Sequence, residues 1–295
     1  ARPDWLVALD SEPIDPIYEG PGMNLETWEE QLDELTGRKS TKGTIEYLVD
    51  GEEFFTRFID AVTAAKESIY LRTYIFDNDD YAERIGEMLK RRSNEGIEVK
   101  MLFDGFGTIL STIEQQQTLP EDWKGTSSVR EFLEDGSEID VRQTSNPWFT
   151  GDHVKTIVID RKKAITRGMN NAREYRYDWH DLMMEVHGPV VDILQDEFHK
   201  AWAHAGFFGD YGYVARRMMP APKDAEDVGY PIRVLFTRVD DPEIFRVQRA
   251  AIRNARKYIY VENAYFTDDA MIYELVKARR RGVDVRVIMP LVTDR

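Results

Sequence analysis

The chain repeats itself, and that repeat limits its fold more than any other feature. Residues 61–76 (AVTAAKESIYLRTYIF) line up with 251–266 (AIRNARKYIYVENAYF), and 95–100 (EGIEVK) with 281–286 (RGVDVR). In each copy an apolar pattern of helical period leads into a run of β-branched and aromatic residues. A second amphipathic stretch then stops before a glycine and a short strand pattern follows. Helix, strand, helix, strand in that order predicts crossover units and an α/β fold with a mixed, largely parallel sheet flanked by helices. Two pseudo-symmetric halves are expected, the second incomplete.

The first copy is the longer. Strands are expected at 44–49, 68–76 and 97–103, with helices at 52–66 and 81–94. Phe54, Phe55, Phe58, Ile59 and Val62 form the buried stripe of the first helix. A helix at 128–134 and a strand at 138–142 follow. Strands at 154–160 and 164–166 pair across a turn at Arg161-Lys162-Lys163, followed by a strand at 182–186. A helix at 190–204 turns Val191, Leu194, Phe198 and Trp202 inward. Residues 206–230 carry glycines, prolines and aromatics and read as a linker. The expected domains are an N-terminal arm (1–43), with a helical pattern at 25–35, then a first half (44–205), the linker, and the start of a second half (231–295). The first residue is Ala, so a leader, an anchor or a cloning boundary is expected to have been removed.

The stretch that suggests chemistry is residues 152–160 (DHVKTIVID), followed by Arg167-Gly168-Met169-Asn170. On a strand His153 and Lys155 share one side, and Thr156, Val158 and Asp160 the other. An acid/base or nucleophilic group beside a fixed cation is what phosphate chemistry requires. Residues 153–176 carry seven Lys or Arg against Asp160 and Glu174, a basic island in a chain of net charge −15. Arg161, Lys162 and Lys163 read as a solvated turn. Lys155 does not: an unpaired lysine inside an apolar strand costs several kcal/mol unless it meets an anion. The acidic balance disfavours extended nucleic acid as a partner. The absence of cysteine excludes disulfides, thiol catalysis and thiolate-bound metal.

His153-x-Lys155-(x)4-Asp160 with Asn170 following resembles the signature of the phospholipase D superfamily, and the similarity runs over roughly residues 44–295. Residues 71–77 and 261–268, the latter including Tyr265, resemble the strand-plus-aromatic segments that open each half of the bacterial cardiolipin synthases. Trp179-His180-Asp181 and 186–191 are similar to the stretch after the first motif in those enzymes.

The resemblance implies a nucleophilic or acid/base His153, with Lys155 and Asn170 on the non-bridging phosphate oxygens. It also implies an Asp181 that orients the histidine and an Asp160 that stabilises the motif. Reaction would pass through a phosphohistidine, with no metal and no cofactor, between a phospholipid substrate and an alcohol or water acceptor. Arg167 stands where relatives commonly have glycine and either contacts phosphate or faces solvent. Trp148 and Phe149, just ahead of His153, are candidates for an apolar approach to a lipid. Phe106, Ile109, Leu110, Phe207, Phe208, Met218 and Met219 are further candidates. Peripheral membrane contact is expected, in a bacterial membrane-associated or periplasmic setting, with a cytoplasmic one as the alternative.

The family joins two such motifs, and the repeat places the second beyond Arg295. A missing second half, or a second subunit, is therefore expected to complete the site. A nuclease of the same superfamily and a catalytically silent scaffold are the alternative functions. Of the other histidines, His180 beside Asp181 either rims the site or is structural, His187 lies at a strand end, and His199 and His204 read as surface or core packing.

Overall fold

The computed structural model describes residues 19–105, 119, 123–144, 152–206, 229–238 and 240–290, without the Arg167 side chain. Chain contacts divide it into two units, one of Thr41–Val234 and one of Ala1–Ser40 with Leu235–Arg295.

The larger unit holds an eight-stranded sheet. In chain order its elements are β1 (Thr41–Val49), α2 (Asp50–Ala64), β2 (Ser68–Thr73), α3 (Asp80–Asn94), β3 (Glu98–Asp104), α4 (Val129–Glu134) and β4 (Asp140–Thr144). Then come β5 (Thr156–Ile159), β6 (Lys163–Arg167), α5 (Arg173–Tyr177), β7 (Leu182–His187), α6 (Val190–Ala205) and β8 (Tyr230–Ile232). The strand order is β4-β3-β2-β5-β6-β7-β1-β8.

The expected parallel character holds only at one end. The β2–β3 and β3–β4 pairs, joined by crossover helices, are parallel. The other five neighbouring pairs are antiparallel. Repeat periodicity reveals crossovers, but β5, β6 and β7 are joined by turns and a short helix, and such connections reverse the chain.

Strand alternation divides the apolar residues between two faces. Ile69, Leu71, Val99, Met101, Ile157 and Ile165 pack with Phe54, Phe55 and Phe58 of α2 and with α3 and α4. Tyr70, Leu102, Val158, Ala164 and Val186 pack with Val191, Leu194, Phe198 and Trp202 of α6. Helices therefore cover both sides of the sheet, which explains why the central strands are apolar throughout.

Two local expectations need correction. Strand β5 begins at Thr156, so His153 and Lys155 lie on its lead-in rather than in the ladder. The hairpin turn is Asp160-Arg161, not Arg161-Lys162-Lys163: both turn residues have positive φ (52° and 55°), and Lys162 N–H donates to the Ile159 carbonyl at 3.0 Å. The register pairs Ile159 with Lys163, so Asp160, Arg161 and Lys162 lie between the strands, and Asp tolerates the left-handed conformation better than most residues. The Asp160 carboxylate also accepts the backbone N–H groups of Lys66, Glu67 and Ser68, at 2.7 to 3.1 Å. It thereby ties the hairpin to the start of β2.

The smaller unit has α1 (Leu25–Thr36), α7 (Glu243–Asn254), β9 (Tyr258–Glu262), α8 (Asp269–Arg280) and β10 (Asp284–Ile288). Helix α1 is capped by Asn24, packs on α7, and is joined to it by an Asn254–Gln31 hydrogen bond of 2.7 Å. Strands β9 and β10 are parallel, as β2 and β3 are, and the register pairs Tyr258 with Asp284 as Ser68 pairs with Glu98. Gly96 and Gly282 both have φ 92°, and their N–H groups close the preceding helix in the same way, to Ser93 and Arg279. The repeat is thus a repeat of structure as well as of sequence. Among the described residues no helix is long and apolar enough to cross a membrane.

Candidate active site

The sheet brings the ends of several strands to one edge. Arg72 of β2 pairs with Thr156 of β5, Asp104 of β3 with Thr144 of β4, and Val49 of β1 with Leu182 of β7. The carboxyl ends of β1, β2, β3, β4 and β6 therefore meet the amino ends of β5 and β7. Open α/β sheets place ligands at such carboxyl ends. His153, Lys155, Asn170 and Asp181 all belong to segments at this edge.

Since no ladder holds residues 152–155, side chains do. Arg72 grips the Asp152 carboxylate through Nε at 2.9 Å and Nη2 at 2.7 Å. The Asp152 N–H donates to Asp104 Oδ2 at 3.0 Å, and the Thr144 hydroxyl donates to the same oxygen at 2.8 Å. Lys155 Nζ donates to the His153 carbonyl at 3.2 Å, and the Thr166 hydroxyl donates to the Lys155 carbonyl at 2.8 Å. Tyr74, one residue past β2, has its ring centroid 4.7 Å from that of His153 and 5.2 Å from Lys155 Nζ.

His153 is exposed, and Lys155 is buried, with only 6% of its surface accessible. The His153 imidazole sits below its ordinary pKa, first through partial desolvation and then through the Lys155 ammonium; Asp152 and Asp104 partly offset this. The ring is accordingly neutral at pH 7, with a lone pair available. Burial lowers Lys155 to about 8, with Asp181 and Asp152 opposing the shift. The Asp181 carboxyl is raised, chiefly by burial, against the Leu182 N–H (2.7 Å) and Lys155. Asp181 thus acts on Lys155, whereas Asp152 and Asp104 are the carboxylates that act on His153.

Asn170 is 1% exposed. Its Oδ1 accepts the Ile75 N–H at 3.2 Å and the Thr73 hydroxyl at 3.4 Å, and its Nδ2 donates to the Tyr175 hydroxyl at 2.8 Å. Gly168 lets the 181 segment close in, because a Cβ there would stand 2.1 Å from Asp181 Oδ1. Asp50, with φ 64°, fastens the same segment: its N–H donates to the Asp181 carbonyl, its carboxylate accepts the Asp181 N–H, and it also bonds His180 Nδ1 at 2.6 Å.

Much of the basic island is paired. Arg161 bonds Asp192, Lys163 reaches Glu185, Arg173 grips Asp80, and Arg176 pairs with Glu52. His187 bonds Glu185, and His199 packs edge-on to Tyr70 under α6. Tyr265 belongs to the smaller unit and is exposed. Trp148, Phe149, Phe106, Ile109, Leu110, Phe207, Phe208, Met218 and Met219 lie outside the described residues, as does the side chain of Arg167.

Asp77, Asp79 and Glu174 bring carboxylate oxygens within 4.8 Å of one another, a grouping that no local spacing reveals. The Asp79 oxygens are occupied by the N–H groups of Tyr81, Ala82 and Arg173, so this residue works as a cap joining α3 to α5.

The residues that sequence reasoning missed are Arg72, Tyr74, Asp104 and Asp152. The usable signal was position: Tyr74 and Asp104 stand at the carboxyl ends of neighbouring parallel strands.

A family described as cardiolipin synthase, PLD-like domain, matches residues 58–202 and 248–294. Cardiolipin synthase A of Pseudomonas entomophila (strain L48) is 27% identical over 267 residues, which cover 83% of this chain and 50% of that protein. Cardiolipin synthase of Listeria monocytogenes serotype 4b (strain CLIP80459) is 29% identical over 257 residues, covering 83% and 51%. The chain thus spans about half the length of these relatives. The crystal structure of phosphatidylserine synthase from Haemophilus influenzae Rd KW20 superposes with a TM-score of 0.62 at 17% identity, covering 90% of this chain and 66% of that one. At that identity the likeness concerns the fold.

Proposed function

Since the chain belongs to the cardiolipin synthase, PLD-like domain family, we propose that it carries the first half of a phosphatidyl-transfer site acting on a glycerophospholipid. A His153 nitrogen attacks phosphorus, and the bond from phosphorus to the head-group oxygen breaks. The resulting phosphohistidine is then opened by an alcohol or by water, which releases the imidazole. Lys155, and the Nδ2 group of Asn170, take the non-bridging oxygens as negative charge builds on them. Asp181 keeps Lys155 charged, and Asp160 holds the hairpin without touching substrate.

The observation that carries this reading is the His153–Lys155 pair: an imidazole open to solvent, held below its ordinary pKa, beside a buried lysine whose Nζ bonds the His153 carbonyl at 3.2 Å. A neutral histidine is a nucleophile, and a desolvated cation next to it is a strong partner for a phosphate anion. The leaving alcohol needs a proton, which a second histidine supplies, either from further chain or from a second subunit. The lipid binds from a membrane surface, and Trp148, Phe149 and Arg167 remain proposed contacts for it.

The test is product analysis on phosphatidylglycerol vesicles, with and without added glycerol. The expected products are cardiolipin or phosphatidic acid, formed by the protein joined to its second half-site and abolished by His153→Ala. Cleavage of DNA without a lipid product would replace this reading with the nuclease. Retained lipid turnover in His153→Ala would remove His153 from the mechanism.

A further inference from the structure

Tyr74 has no place in the chemistry above, yet it touches both reactive groups. It follows β2 directly and stands on the neighbour of β5 at the point where the ladder has ended, so no strand pairing fixes His153 or Lys155. Its ring meets the His153 imidazole at 4.7 Å between centroids, tilted by 55°, and lies 5.2 Å from the Lys155 ammonium. Ordinary core packing does not account for it. Tyr74 is half-buried and belongs to none of the apolar clusters formed by the described residues.

We propose that Tyr74 is a positioning residue, whose aromatic face holds the Lys155 ammonium and the His153 ring together on a segment without backbone pairing.

An aromatic face attracts a partly desolvated cation, enough to favour one rotamer of a long flexible side chain. The same ring removes water from one side of the imidazole. Both effects belong to the ring and neither needs the hydroxyl, which burial and Asp104 hold above its ordinary pKa and so keep neutral. The groups that bear on His153 are Lys155 and Asp152 from its own segment, Asp104 from β3, and Tyr74 after β2.

The inference rests on His153 and Lys155 being the reactive pair, but its test needs no turnover. The His153 titration would be followed by NMR in the 295-residue chain, assigned by its loss in His153→Ala. Tyr74→Phe should leave the curve in place. Tyr74→Leu should move it upward, toward an ordinary imidazole, with thermal unfolding little changed because the site is half open. If the leucine variant does not fold, Tyr74→Met, similar in bulk but without an aromatic face, takes its place. An unmoved curve in the leucine or methionine variant would overturn the proposal. So would a phenylalanine variant that shifts as far as the leucine one. In the protein with its second half-site, Tyr74→Leu should lower kcat about 10- to 100-fold with KM little changed. Loss of lipid turnover with normal titration differences would count against the proposed function and not against the role of Tyr74.

Discussion

The two copies of the repeat build the same small arrangement and bury it differently. In the first, the Tyr70 hydroxyl donates to Glu98 at 2.5 Å, Lys100 Nζ donates to Glu98 at 2.7 Å, and Lys100 lies 5.8 Å from the Tyr70 ring. In the second, the Tyr260 hydroxyl donates to Asp284 at 3.0 Å, Arg286 Nε donates to Asp284 at 3.0 Å, and the Arg286 guanidinium lies 5.5 Å from the Tyr260 ring. Helix α6 covers the first: Phe198 stacks on Tyr70, and Trp202 stands over Lys100. Tyr70 is 2% exposed, against 60% for Tyr260. Tyrosine, acid and base on adjacent parallel strands are thus a local product of the sequence. Burial is added by whatever packs on top.

The largest expected effect separates the copies through their tyrosines. Tyr70→Ala removes a ring stacked between sheet and helix and should cost about 3–5 kcal/mol. Tyr260→Ala, which removes an exposed ring, should cost far less. Chemical denaturation of both variants measures the difference, and equal losses would mean that cover is not what distinguishes the copies.

Two buried lysines sharpen the point within the first copy. Lys100 has Glu98 and two aromatic faces, whereas Lys155 makes no ion pair among the described residues. Lys155 falls from 10.5 in the unfolded chain to about 8 when folded. Folding therefore opposes its charged form. The destabilisation is complete below pH 8 and disappears as pH rises from there through 10.5. Lys155→Met should thus stabilise the protein by about 3 kcal/mol at pH 7, with the gain shrinking above pH 8. Lys100→Met should destabilise it, by about 1–2 kcal/mol. Unfolding curves at pH 7 and pH 10 read both signs, and a Lys155→Met variant less stable than the parent would show that this charge is not held at a cost.

The smallest effect should be shared by the copies. Gly96→Ala and Gly282→Ala each force a side chain into a left-handed conformation at φ 92°. Each should lose about 1–2 kcal/mol. Unequal losses would mean that the turn, too, depends on what surrounds it.

The same distinction explains what the sequence disclosed. The repeat, the helices and the His153–Lys155 stretch depend on neighbours in the chain, and they were legible. Helix α3 was expected at 81–94 and runs Asp80–Asn94. The sheet order was not legible, because pairings such as β7 with β1 join residues more than a hundred positions apart, where local periodicity carries no information. Strand β5 was expected from Val154, since Val154 and Lys155 continue its alternation. It starts at Thr156 because Arg72 and Asp104 hold Asp152 in place of a ladder. Asp104 and Tyr74 reach the site only through sheet pairing, so nothing near His153 in the chain announces them. The turn at Asp160-Arg161 was misjudged because three basic residues in a row look like a solvated loop, whereas Asp160 is the residue that tolerates the left-handed turn and ties it down.

The central claim is that His153 is the nucleophile, and an activated lipid tests it most directly. Phosphatidyl-p-nitrophenol carries a leaving group stable enough to depart without a protonating partner, so one half-site suffices to begin the reaction. The chain would be incubated with this lipid, quenched, digested, and mapped by mass spectrometry under alkaline conditions that preserve phosphohistidine. The expected result is p-nitrophenolate released in step with a phosphatidyl group on His153, both lost in His153→Ala. Release that continues in His153→Ala, or a phosphatidyl group found on another residue, would contradict the account.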